Sequence, residues 1–189
     1  MDSLENINKD VINCEKCDLY KERMNPVLGA GSSKAKIMFV AEAPGVSEDR
    51  SGVPFCGKAG GILDELLGKA DLRREDVYIT NILKCRPPEN RNPREYEINM
   101  CTSYLNRQIE LIKPRVICCL GNFATAYIMK KFDLKDEIQG ISKIHAKVFS
   151  VRSLFDSIKI VALYHPAVVT YNINMKPVLE KDFSILRNI

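Results

Sequence analysis

Lys36-Ile37-Met38-Phe39-Val40-Ala41 is an almost wholly apolar run that leads straight into Glu42-Ala43-Pro44-Gly45. A short run without polar alternation fits a strand buried on both faces, the kind found inside parallel sheets. Three more runs share its character: Val77–Leu83, Arg115–Leu120 and Lys159–Leu163. Helical spacing fills the gaps between them. Ile62, Leu63, Leu66 and Leu67 place one helix over residues 59–70. A longer one begins at Asn92-Pro93, with Asn92 as its cap and Glu95 reaching back to it. Its inner stripe is Cys101, Tyr104, Leu105, Ile109 and Ile112, and Pro114 stops it. Further helices are expected over 121–132 and 177–186, a short one near the N-terminus, and an added strand over 145–151. The β-α alternation predicts a three-layer α/β/α sandwich around a central four-stranded parallel sheet.

The 189 residues suit one domain spanning 1–189, with one sizeable core. Hydrophobic residues make up 46% and charged residues 28%, which argues against disorder, collagen-like repeats and coiled coil. No apolar run reaches the ~18 residues of a membrane helix. Met1-Asp2-Ser3-Leu4-Glu5 lacks the basic-then-apolar pattern of a secretion signal, so a cytoplasmic protein is expected. The net charge of +4 permits a polyanionic partner if the positive charge is local.

The distinctive residues follow the ends of the four apolar runs. The first leads to Glu42, Ala43 and Pro44; the second contains Asn81 and leads to Cys85-Arg86-Pro87-Pro88; the fourth ends at Tyr164-His165-Pro166. Parallel strands would gather these groups at one carboxyl edge, where open α/β sheets bind ligands. Gly and Pro there are ordinary turn residues. Asn81 inside an apolar run is different, because a buried amide is costly unless satisfied. Its acceptor and two donors lie in one plane and suit the imide edge of a pyrimidine. Phe55, in the loop Gly52-Val53-Pro54-Phe55-Cys56-Gly57, offers a ring for stacking on a base. His165 can donate to an oxygen that becomes anionic, and Glu42 can orient water or face a cationic sugar.

Seven cysteines without an export signal do not suggest disulfides. Cys14-x-x-Cys17 is a ligand pair, and Cys85 and Cys101 complete a possible set of four thiolates for zinc or an iron–sulfur cluster. Cys118 and Cys119 lie mid-strand as small buried hydrophobes. Lys84, Arg86, Arg91 and Arg94 surround Cys85 in a stiff Pro-rich loop and form a candidate DNA-backbone surface.

AEAPGVSEDRSGVPFCGKAGGILDELL (41–67), TNILKCRPPENRNP (80–93), the Cys101 helix and YHPA (164–167) closely resemble the family 4 uracil-DNA glycosylases, the iron–sulfur type. The resemblance implies a monofunctional hydrolase that flips uracil out of DNA, cleaves its N-glycosidic bond and leaves an abasic site for base excision repair. It implies a [4Fe–4S] cluster on Cys14, Cys17, Cys85 and Cys101. It implies that Glu42, Ala43 and Pro44 line the uracil pocket, Phe55 stacks on the base, Asn81 reads its polar edge and His165 sits at the leaving base, with Glu42 and His165 catalytic. The expected partner is uracil-containing DNA, met by a prokaryotic, nucleoid-associated monomer with no membrane contact. Ala41 stands where the family usually has Gly, and Val168–Ile173 departs from the usual residues after the histidine. That loop is expected to press into DNA beside the flipped nucleotide.

Two alternatives stay open on the residues alone. One is a glycosylase for another deaminated base, such as hypoxanthine or xanthine. The other is a non-catalytic iron–sulfur or zinc nucleic-acid-binding protein. A nucleotide-binding reading of Gly57-x-x-Gly60-Gly61 is weak, because no Walker Lys-Ser pair follows it.

Overall fold

A computed structural model of the chain describes residues 2–152 and 157–189. In chain order its main elements are α1 (Leu4–Ile12), β1 (Ala30–Gly31), β2 (Ile37–Ala41), α2 (Val46–Ser51) and α3 (Lys58–Lys69). Then come β3 (Tyr78–Asn81), α4 (Glu95–Ile112), β4 (Val116–Leu120), α5 (Asn122–Lys131) and α6 (Ile141–Ile144). The chain closes with β5 (Val148–Arg152), β6 (Ser157–Leu163), α7 (Val168–Tyr171) and α8 (Lys176–Ser184).

The sheet has six strands in the order β1-β3-β2-β4-β6-β5. The four apolar runs are its parallel centre, with Ala41 beside Asn81, Val40 beside Cys119 and Leu120 beside Leu163. Two antiparallel edge strands, β1 against β3 and β5 against β6, extend the four-stranded parallel sheet to six; β5 is the added strand expected over 145–151, and β1 was not expected. Residues 30–31 read as part of a Gly/Ser turn; they pair because Gly31, at φ +114°, brings its backbone where a Cβ would meet the Val77 carbonyl at 1.9 Å. Both faces of the sheet are covered, which is why the central strands need no polar side. Phe39, Cys118 and Val161 pack under α3 and α8 with Leu63, Leu67 and Phe183. Met38, Ile117 and Ile160 face α4 and α5 with Leu105, Ile109 and Ile128. Cys118 and Cys119 are buried, one on each side.

Helix α4 begins later than its proline suggests. Its N-cap is Arg94 rather than Asn92, and Glu97, not Glu95, accepts the cap N–H, at 2.8 Å. Glu97 is the carboxylate that is buried, so it and not the exposed Glu95 is fixed where the first turn leaves N–H groups without partners. Among the described residues no helix is long and apolar enough to cross a membrane.

Candidate active site

After β2 the chain crosses to β3 on one side, then returns past β2 to β4 on the other. That reversal opens a crevice at the carboxyl ends of the strands. The β2–β3 ladder continues one step beyond the strands, with Ile82 N–H donating to Ala41 O and Leu83 N–H to Glu42 O. Glu42 and Asn81 therefore start from adjacent stretches of backbone. A cavity of about 330 Å³ lies over them, lined by Glu42, Ala43, Pro44, Phe55, Asn81 and His165. All six residues expected at the pocket are thus brought to one place. Glu48, Asn90 and Arg91 join them at its wall.

Each side chain is held by identifiable groups. Asn81 is 2% exposed, yet among the described residues its side-chain amide takes no hydrogen bond within the protein. A buried amide left open to a cavity is a site for a polar ligand. His165 accepts from Ala167 N–H on Nδ1 at 3.1 Å, which puts its proton on Nε2. Burial pulls its pKa down to about 4 against the opposing pull of the Glu48 carboxylate, so at neutral pH the ring is an uncharged donor. Its ring stacks on Phe55 with centroids 5.5 Å apart and planes 24° apart. Burial raises the Glu42 pKa above the ordinary carboxylate value.

Phe55 adopts φ +52°, a left-handed conformation uncommon for an aromatic residue. Arg74 holds this turn by donating to the carbonyls of Pro54 and Phe55 while its Nε pairs with Asp64 at 2.6 Å. Gly60 in α3 backs the turn so closely that a Cβ there would meet Phe55 O at 1.8 Å. Glu48 closes the other end, accepting from Gly45 N–H at 3.1 Å and Gly57 N–H at 3.0 Å. Arg74 carried no local signal, since it acts 19 residues from its target. Glu48 lay inside the quoted motif but had no assigned task.

The loop cations divide. Lys84 is 1% exposed and its Nζ donates to three internal acceptors, so it does not reach a phosphate and, against expectation, is not part of the DNA-backbone surface. The apolar neighbours Ile82 and Leu83 carry it into the core. Burial draws its ammonium down to about 8. Arg86 bonds Asn90 Oδ1 at 2.7 Å and stays partly exposed. Arg91 grips buried Glu97 through two hydrogen bonds of 3.0 and 2.6 Å and borders the cavity.

On the far side of Lys84, Cys14, Cys17, Cys85 and Cys101 line a second cavity with Val11, Leu19 and Tyr104. Lys84 N–H donates to Cys101 Sγ at 3.2 Å and Arg23 Nη1 to Cys85 Sγ at 3.3 Å. Among the described residues no set of three or more His, Cys, Asp or Glu side chains is arranged to hold a metal ion. A closed zinc site would bring its sulfurs to about 3.8 Å from one another. Burial pushes the Cys101 thiol up to about 12 and raises Cys17 and Cys85, so these groups stay protonated until a cation replaces the protons.

An α/β/α sandwich whose crevice is lined by an amide, a neutral histidine and an aromatic ring belongs to the class of α/β proteins that bind a ligand at the carboxyl edge of the sheet, and comparison with known proteins places it further. A family model described as the uracil DNA glycosylase superfamily matches residues 28–184. A type-4 uracil-DNA glycosylase of Archaeoglobus fulgidus is 49% identical over 183 residues, covering 97% of this chain and 91% of that protein. Those of Sulfurisphaera tokodaii and Saccharolobus solfataricus are 44% and 47% identical, covering 100% and 97% of this chain and 86% and 84% of theirs. The chain belongs to the uracil-DNA glycosylase superfamily and, within it, to the type-4 family.

Proposed function

We propose that the chain hydrolyses the N-glycosidic bond between uracil and deoxyribose in DNA and leaves an abasic site for repair. The observation that carries this reading is the Asn81 amide, unpaired within the described protein and opening into the same cavity as Phe55 and His165. Uracil in a duplex is stacked, so it must be extruded at a cost of a few kcal/mol. Phe55 then offers its ring, and Asn81 reads the imide edge. Cytosine presents an amine and a bare ring nitrogen there, and each mispaired group in a dry pocket costs about 1–3 kcal/mol. The loop from Gly45 to Phe55, pinned by Glu48, excludes the thymine methyl by shape.

As the bond breaks, negative charge builds on the base and positive charge on the sugar. His165 Nε2–H donates to the developing oxyanion at the uracil O2. A neutral donor suits this task, because it is already in its working form at pH 7. Glu42 stands where a carboxylate can face the sugar cation or hold the attacking water. Among the described residues no lysine lines the cavity, in keeping with plain hydrolysis without an amine nucleophile.

The chemistry of the donors supports a [4Fe–4S] cluster on Cys14, Cys17, Cys85 and Cys101, spaced too widely for a single ion: all four are sulfur, and two receive N–H bonds that stabilise thiolates. When bound, the cluster supplies iron–thiolate bonds that staple the N-terminal segment to the loop after β3 and to α4; hydrolysis itself consumes no electron. Arg86 and Arg91 face the DNA backbone from that loop. Tyr171 and Ile173, 79% and 67% exposed just after His165, press into the duplex beside the extruded base. The chain acts as one domain over 1–189, as a monomer, in the cytoplasm on nucleoid DNA.

The test is uracil release from a single-stranded oligonucleotide under single-turnover conditions, read by alkaline cleavage of abasic sites. H165A should slow release about 10²–10³-fold, as loss of an oxyanion donor does. N81A should slow it about 10–100-fold and narrow the preference for uracil over cytosine. Near-full activity in both variants would overturn the assignment.

A further inference from the structure

The chemistry proposed above leaves one buried polar cluster unused. Lys84 Nζ donates to Thr80 Oγ1 at 2.6 Å, to the Asn81 main-chain oxygen at 2.9 Å and to Gln108 Oε1 at 2.9 Å. The three donors of the ammonium meet three neutral acceptors. Thr80 Oγ1 also donates to Gln108 Oε1 at 3.1 Å, and Gln108 Nε2 donates onward to Leu28 O and Tyr78 Oη, at 2.7 and 3.1 Å. Gln108 comes from α4, so the cluster joins that helix to β3 through the interior. The backbone of Lys84 is itself fixed, by its N–H on Cys101 Sγ.

A charged group in such a place is expensive, and an apolar side chain of equal length would fill the same space without that cost. The geometry gives the ammonium a task. Asn81 is the last residue of β3, and the pairing with β2 runs out just beyond it, at Leu83, where the backbone leaves toward Cys85. A hydrogen bond to its carbonyl anchors the peptide plane that follows its Cα and limits drift of the side chain's root, and recognition tolerates only about 0.5 Å of error at the polar atoms. Asn81 has its amide on the cavity side and its carbonyl gripped from the core side.

We propose that Lys84 is a positioning residue for base recognition: braced by Thr80 and Gln108, it holds the Asn81 carbonyl from within the core and so aims the amide that reads the base. The inference rests on the assignment of Asn81 to the base.

The experiment is a double-mutant cycle on single-turnover uracil release, using K84M, N81A and the double variant. Methionine keeps the length and apolar body of lysine and removes the donors. K84M should slow release roughly tenfold and reduce selectivity for uracil over cytosine. Its affinity for an oligonucleotide carrying a non-cleavable abasic analogue should equal that of the parent, because that ligand has no base to read. In the N81A background K84M should cause no further loss, since no amide remains to be aimed. Losses that multiply in the double variant, a parental rate in K84M, or equal weakening toward the abasic analogue would overturn the proposal. T80V, isosteric and missing one acceptor, carries the same cycle with a loss of about threefold, should K84M not fold. A parental rate in N81A alone overturns the base assignment and this inference with it. A slow N81A with multiplying losses overturns this inference by itself.

Discussion

His165 and Glu42 are driven in different directions by the same cause. Burial favours the neutral form of each, which lowers the histidine to about 4 and raises the carboxyl above its ordinary value. On acidification Glu42 therefore gains its proton before or together with His165, and loses the charge that faces the sugar. On the role proposed for Glu42, loss of its charge is expected to produce the acid limb of the single-turnover rate. E42Q should lower the rate about 10–100-fold at pH 7 and flatten the limb above pH 4. An unchanged limb in E42Q would assign it to another group. The stability consequence of His165 has its own sign. An unfolded imidazole titrates near ~6.5 and takes up a proton that the folded one refuses, so the unfolded state binds more protons at lower pH. The contribution of His165 to folding is complete above that value and is lost progressively as pH falls toward 4.

At the scale of elements, the loop between α2 and α3 decides where the aromatic wall stands. Its left-handed turn at Phe55 persists because Arg74, Glu48 and Gly60 hold it from three sides. G60A should displace this turn without unfolding the sheet, because the inserted methyl meets main-chain oxygen rather than a side chain that can rotate away. The expected result is a loss of uracil release of more than about tenfold with native circular dichroism, and a stability cost of about 1–3 kcal/mol. Parental activity in G60A would mean that the loop position is not critical. Helix α4 shows how an element can be foreseen while its anchor is missed. The apolar stripe and Pro114 were legible, but the Glu97 cap depends on Arg91 from a loop that local patterning leaves undefined.

At the scale of the molecule, the buried apolar side chains among the described residues form three clusters rather than one. Two sandwich the sheet, while Ile7, Val11, Leu19, Leu83 and Tyr104 gather around Cys85 and Cys101. The third is small, Cys85 and Cys101 are part of it, and on the cluster proposed above the bound group would close it. C85S should therefore loosen the segment around residues 13–24 before it affects the sheet. Limited proteolysis should cut there first, while the unfolding midpoint drops by roughly 10 °C for a loss of about 3 kcal/mol in a chain of this size. Absence of new cleavage together with an unchanged midpoint would show that the staple is dispensable.

The four parallel strands, the gathering of Glu42, Phe55, Asn81 and His165 at their carboxyl edge, and the four cysteines that share one cavity were all legible along the chain. Strands buried on both faces carry their signature locally, in unbroken apolar runs, and parallel order fixes which ends meet. Gln108 was within reach of the same logic, as a polar residue one place before Ile109 on the inner stripe of α4. The inward course of Lys84, the grip of Arg74 on Phe55 and the pairing of residues 30–31 as an edge strand came from tertiary contacts. Those outcomes depend on partners far along the chain. A lysine in a basic loop reads as a surface cation until the buried acceptors that Thr80, Asn81 and Gln108 offer to its ammonium are in place.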